Sequence, residues 1–249
     1  MTTVFACETA QNLGYADAMT LLDPRLPTRD DGGGESPLDG SLHKHVYETL
    51  RYRFATGAVT PDSTFSTRSL AAELEVSQMP VREALSRLAA EGAIEIRSKR
   101  RLAIPPMTRE RFEDLLSCRL LLEPAAAAQA IGHVDAARMR QLKKIDAHMD
   151  AAMAGGDVAT YMASNYAFHF ALYEASGRPT MIRLIETLWL QFGPFMRVVY
   201  GRLGTAGLVD QHTLALDAIA MGDAEGLSQA IRADIADGMA LIVKDIWRQ

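Results

Sequence analysis

Beyond Pro106 the chain offers helical patterning and nothing else. Over residues 107–249 apolar positions recur at helical spacing in runs at roughly 108–132, 135–155, 157–177, 179–201, 206–221 and 223–246. The breaks fall at Gly155-Gly156, Gly177-Arg178-Pro179, Gly204 and Gly222. Helices joined by such short connections must bury their apolar stripes against one another, which predicts an antiparallel all-helical bundle of about one domain length.

The preceding segment, residues 41–106, has a different grammar. From about His43 to Thr56, Val46, Leu50 and Phe54 recur every four positions until Gly57 stops the helix. In STRSLAAELEV, Ser66 or Thr67 serves as N-cap and Leu70, Ala71 and Leu74 form a buried stripe. After the turn at Val76-Ser77, Ser77 is a natural N-cap for a third helix. Pro80 is tolerated in its first turn because the missing N–H has no intrahelical partner there. Gly92 closes that helix, and AIEIRSKRRLAIPP then alternates apolar with polar in two short runs around a basic tip, as a small hairpin does. Helix, helix, turn, helix, basic hairpin is the order of a winged helix-turn-helix. The predicted fold class is therefore mostly α: an N-terminal winged helix-turn-helix with a small β-hairpin wing at 41–106, then a helical bundle at 107–249.

Charge divides along the same lines. Residues 1–40 carry 2 Lys/Arg against 7 Asp/Glu, residues 41–105 carry 10 against 7, and the rest 14 against 17. Only the middle segment is basic, as a polyanion-binding module inside an acidic protein would be. Residues 1–40 end in RDDGGGESPLDG, whose Gly, Asp, Ser and Pro predict an acidic, flexible extension, with a short helix around Leu13–Leu22 as an option. Cys7 and Cys118 are far apart and form no CxxC, so neither a disulfide framework nor a thiolate zinc site is expected. With no basic, apolar leader and no run of about 18 apolar residues, the expected location is the cytoplasm, with no membrane partner.

Residues 57–104, and above all the string Val76-Ser-x-x-Pro-Val-Arg-Glu-Ala-Leu-x-x-Leu88, resemble the GntR family of bacterial transcription regulators. Arg119-Leu-Leu-Leu-Glu123, Asn165-Tyr-Ala-Phe-His169 with the Leu-Tyr-Glu-Ala-Ser-Gly that follows, His212 and the Gly222-Asp223 helix start resemble the ligand-binding (FCD) domain of its FadR subfamily. The resemblance implies DNA contacts from Arg68 and from the recognition helix at Ser77, Gln78 and Arg82. It also implies contacts from the basic wing at Lys99, Arg100 and Arg101. Gln78 stands where many relatives have arginine, which exchanges a guanidinium suited to guanine for an amide suited to adenine. Arg101 stands where a wing glycine is usual. Arg82 has a second reading as a partner of Glu91 or of the neighbours of Glu83.

In the bundle, Asn165 and His169 are four apart and face one side of a helix. The resemblance implies a divalent metal held by Asn165, His169, His212 and Asp234, the last in the place of a frequent third histidine. Such a donor set suits zinc, nickel or manganese. Two histidines hydrogen-bonded inside a helical core are the competing reading. Arg119 is either an anchor, with Asn165, for an effector carboxylate or an i,i+4 partner of Glu123. The aromatic and sulfur residues between Tyr161 and Met196 read as core, and His43, His45, His133 and His148 as surface.

Two functions of different class follow. The first is a homodimeric regulator that binds a short inverted repeat of double-stranded DNA under the control of a small effector, an organic acid. The second is a metal-dependent enzyme with a fused nucleic-acid-binding domain, for which no HExxH, nucleophile elbow or phosphate loop is present. The regulator, without enzymatic activity, is the expected function.

Overall fold

A computed structural model of the chain describes residues 39–63, 65–98, 101–203 and 210–247. The expected extension at its N-terminus and the wing-tip residues Lys99 and Arg100 lie outside these. The order is α1 (Asp39–Ala55), α2 (Thr67–Glu73), α3 (Gln78–Ala90), β1 (Glu95–Ser98) and β2 (Arg101–Ala103). Then come α4 (Arg109–Ala130), a 3-10 turn (Ile131–His133), α5 (Ala136–Gly155), α6 (Val158–Glu174), α7 (Pro179–Leu203), α8 (Gln211–Met221) and α9 (Ala224–Ile246).

The head forms as its apolar spacing demands. Val46, Leu50 and Phe54 of α1 are buried with Leu70, Val81, Leu85 and Leu88 from α2 and α3. Ser66 closes the start of α2 in a capping box with Ser69. Ser77 does occupy the N-cap position of α3, but its side chain makes no capping hydrogen bond. The turn between α2 and α3 carries Glu75 in the left-handed region at φ 55°, a conformation more usual for glycine. The strands pair antiparallel, Glu95 opposite Ala103 and Ile96 opposite Leu102, with an irregularity before Ser98 and Arg101. One boundary differs from expectation: α1 begins at Asp39 and not at His43. Asp39-Gly40-Ser41 reads locally as a turn, yet these residues belong to the first turn of α1.

In the bundle α6 is the central helix. Every residue from Tyr161 to Tyr173 is buried, so α6 has no solvent face, and its polar residues Ser164, Asn165 and His169 are inside by necessity. Neighbouring α5 and α7 pack on it, α4 crosses it, and α9 packs against α4, α7 and α8.

The head joins the bundle through α1 and α7. A Cβ on Gly193 of α7 would stand 2.2 Å from the Phe54 carbonyl oxygen and 2.4 Å from that of Ala55, so only glycine allows this approach. Arg111 of α4 locks the joint from the side. Its Nη1 donates to the Pro105 carbonyl at 2.9 Å, and its Nη2 to the Gly92 carbonyl at 3.1 Å and to Gln191 Oε1 at 2.9 Å.

Candidate functional site

Three helices converge on one point in the bundle. His169 comes from α6, His212 from the first turn of α8 and Asp234 from α9. His169 Nε2 lies 3.1 Å from Asp234 Oδ2, His212 Nε2 lies 3.7 Å from Asp234 Oδ1, and the two Nε2 atoms are 3.4 Å apart. Tetrahedral ligands at about 2.1 Å from an ion stand about 3.4 Å from one another, so these donors have the spacing of a coordination shell.

The tautomer of His169 can be derived from its neighbours. The Tyr173 hydroxyl donates to Glu123 Oε2 at 2.9 Å, so at 2.9 Å from His169 Nδ1 it must accept. Nδ1 of His169 therefore carries a proton, and Nε2 is the ring atom that faces His212 and Asp234. Glu123, fully buried, also accepts from Trp189 Nε1 at 3.1 Å and from Arg119, whose Nε is 2.5 Å from Oε1 and Nη2 3.3 Å from Oε2. Burial pushes the Tyr173 phenol well above its ordinary value, and the Glu123 carboxylate adds to that, which keeps the hydroxyl proton in place. Burial also lowers His212, favouring a neutral, metal-competent imidazole. Burial would raise Asp234, but His212, the His169 hydrogen bond and Arg119 outweigh it and carry the carboxyl down to about 2. Two imidazoles and an ionised carboxylate fit a divalent ion.

Asn165, one turn before His169, lines a cavity of about 20 Å³ with Arg119, Asp234, Trp189, Gly193 and Ala55. That volume holds one or two waters. Both readings of Arg119 meet here. Its Nε and Nη2 edge is taken by Glu123, and among the described residues Nη1 has the Met239 sulfur at 4.0 Å, so a two-point grip on an effector is reduced to the Nη1 corner. A second cavity, about 120 Å³, opens on the other side of Asp234 and is lined by His212, Asp210, Asp150 and Asp237. Asp146 lies beside it, its carboxyl pushed up to about 6 by burial and by Asp210 and Asp150.

On the head, Arg68, Ser77, Gln78 and Arg82 are all exposed. Glu91 is engaged by Tyr47 and Arg51, and Glu83 by His43. His43 is thereby half-buried rather than a free surface residue, whereas His45, His133 and His148 are exposed. Arg101 lies in β2. Met79, 63% exposed between Gln78 and the first buried residue of α3, joins the same surface.

Tyr173, Asp146 and Met79 were not singled out by the sequence. Tyr173 carries one trace, its i+4 spacing from His169. Asp146 and Met79 become informative only through their burial and exposure.

Residues 42–104 match the family described as bacterial regulatory proteins, gntR family, and residues 114–237 match the FCD domain. The chain belongs to the GntR family, with an FCD domain in the FadR-type arrangement. This GntR chain is 26% identical over 211 residues to the HTH-type transcriptional regulator McbR of Escherichia coli, covering 84% of this chain and 96% of McbR. The structure of E. coli McbR superposes with a TM-score of 0.77 at 25% identity, over 82% of this chain and 98% of that one. The gluconate operon transcriptional repressor of Bacillus subtilis is 25% identical over 212 residues, 81% of this chain and 84% of its own. A transcriptional regulator of Rhodococcus sp. RHA1 shares the fold, with a TM-score of 0.67 at 22% identity over 82% of this chain and 99% of that one. The GntR protein is thus a DNA-binding transcription regulator with an effector-binding FCD domain. Among its described residues no helix is long and apolar enough to cross a membrane.

Proposed function

We propose that the protein binds a short inverted repeat as a cytoplasmic homodimer, and that a small organic acid, held in the FCD domain through a divalent ion, sets the strength of that binding. The observation that carries ligand control is a shared wall. Ala55, the last residue of α1 in the DNA-binding head, lines the 20 Å³ cavity together with Arg119, Asn165 and Asp234. Gly193, in contact with the same end of α1, lines it too. Filling or charging that cavity presses on the first helix of the head through close-packed atoms, which pass strain on instead of absorbing it.

His169, His212 and Asp234 would hold the ion, with Asn165 as a neutral fourth ligand. Their softness suits zinc, nickel or manganese. When bound, the ion supplies a positive anchor for a carboxylate, and Arg119 Nη1 offers a second contact nearby. On the head, Gln78 and Arg82 would read base edges, Arg68 and the uncapped start of α3 at Ser77 would hold phosphates, and Lys99, Arg100 and Arg101 would reach the neighbouring groove or backbone. The alternative of a metal-dependent enzyme with a DNA-binding domain is weaker, because relatives that span most of this chain are named regulators.

The test is elemental analysis of untagged protein, thermal melting, and operator titration with and without chelator. One ion per chain, a fall in Tm of about 5 °C or more on chelation, and an operator Kd that changes on chelation in wild type but not in His169→Ala are expected. Absence of any bound ion and of any thermal shift on adding zinc, nickel or manganese removes the ion from the reading. An operator Kd indifferent to the ion removes its control.

A further inference from the structure

The buried side of α3 fixes what its other side can meet. Pro80, Val81, Ala84, Leu85 and Leu88 are buried in the head, which leaves Gln78, Met79, Arg82, Glu83 and Ser86 exposed. All of these are polar except Met79, the one large apolar side chain that α3 exposes, at 63%. A single apolar residue in water is ordinary on a protein surface, so exposure alone decides nothing. Its position carries the argument. Met79 stands in the first turn of α3 between Gln78 and Arg82. A helical Cβ leans toward the N-terminus, and that is the end of a recognition helix that contacts base edges. The approach is open to a phosphate backbone, since Ser77 makes no side-chain capping hydrogen bond and the first turn carries no acidic residue. Glu83, one turn after Met79 on the same row, is tied to His43 of α1.

We propose that Met79 reads thymine, its side chain packing on the C5-methyl group of one thymine in each half-site of the operator. The inference rests on the reading of α3 as the helix that meets base edges. In the major groove guanine, cytosine and adenine present hydrogen-bonding groups, and thymine alone adds a methyl group. A thioether has no donor and only a weak acceptor, so it gains little from the other base edges. It gains buried apolar area from a methyl, and its three rotatable bonds let it follow the groove floor. Gln78 and Arg82 select by hydrogen bonds, and Met79 adds a distinction that hydrogen bonds cannot make, between thymine and the same pyrimidine without its methyl. Withdrawing one methyl-sized group from water is worth about fourfold in affinity.

The test uses the full chain and an operator obtained by selecting binders from a random DNA library. Each thymine is replaced in turn, at the same place in both half-sites, by deoxyuridine, which lacks only the methyl and keeps every hydrogen-bonding atom. Kd is read by fluorescence anisotropy of the labelled duplex. For wild type, one thymine position should lose about 15-fold on replacement, a factor of about four in each half-site. Met79→Ala, at an exposed position with the helical circular dichroism signal and Tm unchanged, should bind the thymine and uracil operators equally well. Met79→Leu, still apolar, should keep part of the preference. Selected sites in which no thymine recurs, or a wild-type protein indifferent to every replacement, would overturn the proposal. So would a methyl preference that persists in Met79→Ala, which would give the methyl to another side chain. In each of these cases Gln78→Ala and Arg82→Ala separate the two readings: weakened specific binding leaves α3 as the reading helix and removes Met79 alone, whereas wild-type binding in both removes α3 as well.

Discussion

In the proposed metal site, His169 would be prepared for its role by atoms that do not themselves meet the ion. Arg119 and Trp189 donate to Glu123, Glu123 also accepts from the Tyr173 hydroxyl, and Tyr173 in turn accepts from Nδ1 of His169. A buried Arg–Glu pair is a poor source of stability in itself, because both charges are taken out of water. Its use here is to fix a hydroxyl, and through it a tautomer. Tyr173→Phe removes one oxygen and leaves Glu123 with Arg119 and Trp189. Loss of such outer-shell partners typically weakens metal affinity about 10- to 100-fold. Competition with a chromophoric chelator should show a fall of that size in Tyr173→Phe with the helical circular dichroism signal unchanged. Wild-type affinity in this variant would mean that the tautomer is set elsewhere.

At the scale of elements, helix boundaries and the helix-turn-helix order are legible in the sequence because they depend on local spacing and on Gly, Pro and capping residues. Asn165 and His169 are legible as a pair for the same reason, being one turn apart. The assembly around them is not. Glu123 and Tyr173 are 50 positions apart, and Asp146, Asp210 and His212 meet only because α5 and α8 pack side by side. The early start of α1 at Asp39 shows the same limit, since nothing in Asp39-Gly40-Ser41 itself signals a helix. The joint between α1 and α7 was also hidden, although it rests on one glycine. Gly193→Ala would place a methyl 2.2 Å from the Phe54 carbonyl oxygen, and two backbones have to separate to admit it. Overpacking of this kind costs about 1–3 kcal/mol, so Tm should fall by several degrees. The response of operator binding to the ion should weaken along with it. A variant with unaltered Tm and unaltered response would show that the close approach of α1 and α7 transmits nothing.

For the whole molecule, the distribution of charge matters more than its sum. A basic head is carried on an acidic body, so DNA is attracted to one end and repelled from the other. Within that end, the exposed side chains Gln78, Met79 and Arg82 share the first turns of α3, where a recognition helix meets base edges. An amide at position 78 pairs best with adenine N6 and N7, and a guanidinium with guanine O6 and N7. Gln78→Arg should therefore move the preferred base at one operator position from adenine to guanine, whereas Arg82→Ala should weaken specific binding. Each contact is worth about 1–3 kcal/mol, and in a two-fold dimer on an inverted repeat each substitution acts twice, once in each half-site. Selection of binding sites from a random library should yield a palindrome for wild type and, for Gln78→Arg, the same palindrome altered symmetrically at one position per half. A change in one half only would argue against the symmetric dimer, and an unaltered site would remove Gln78 from the reading surface.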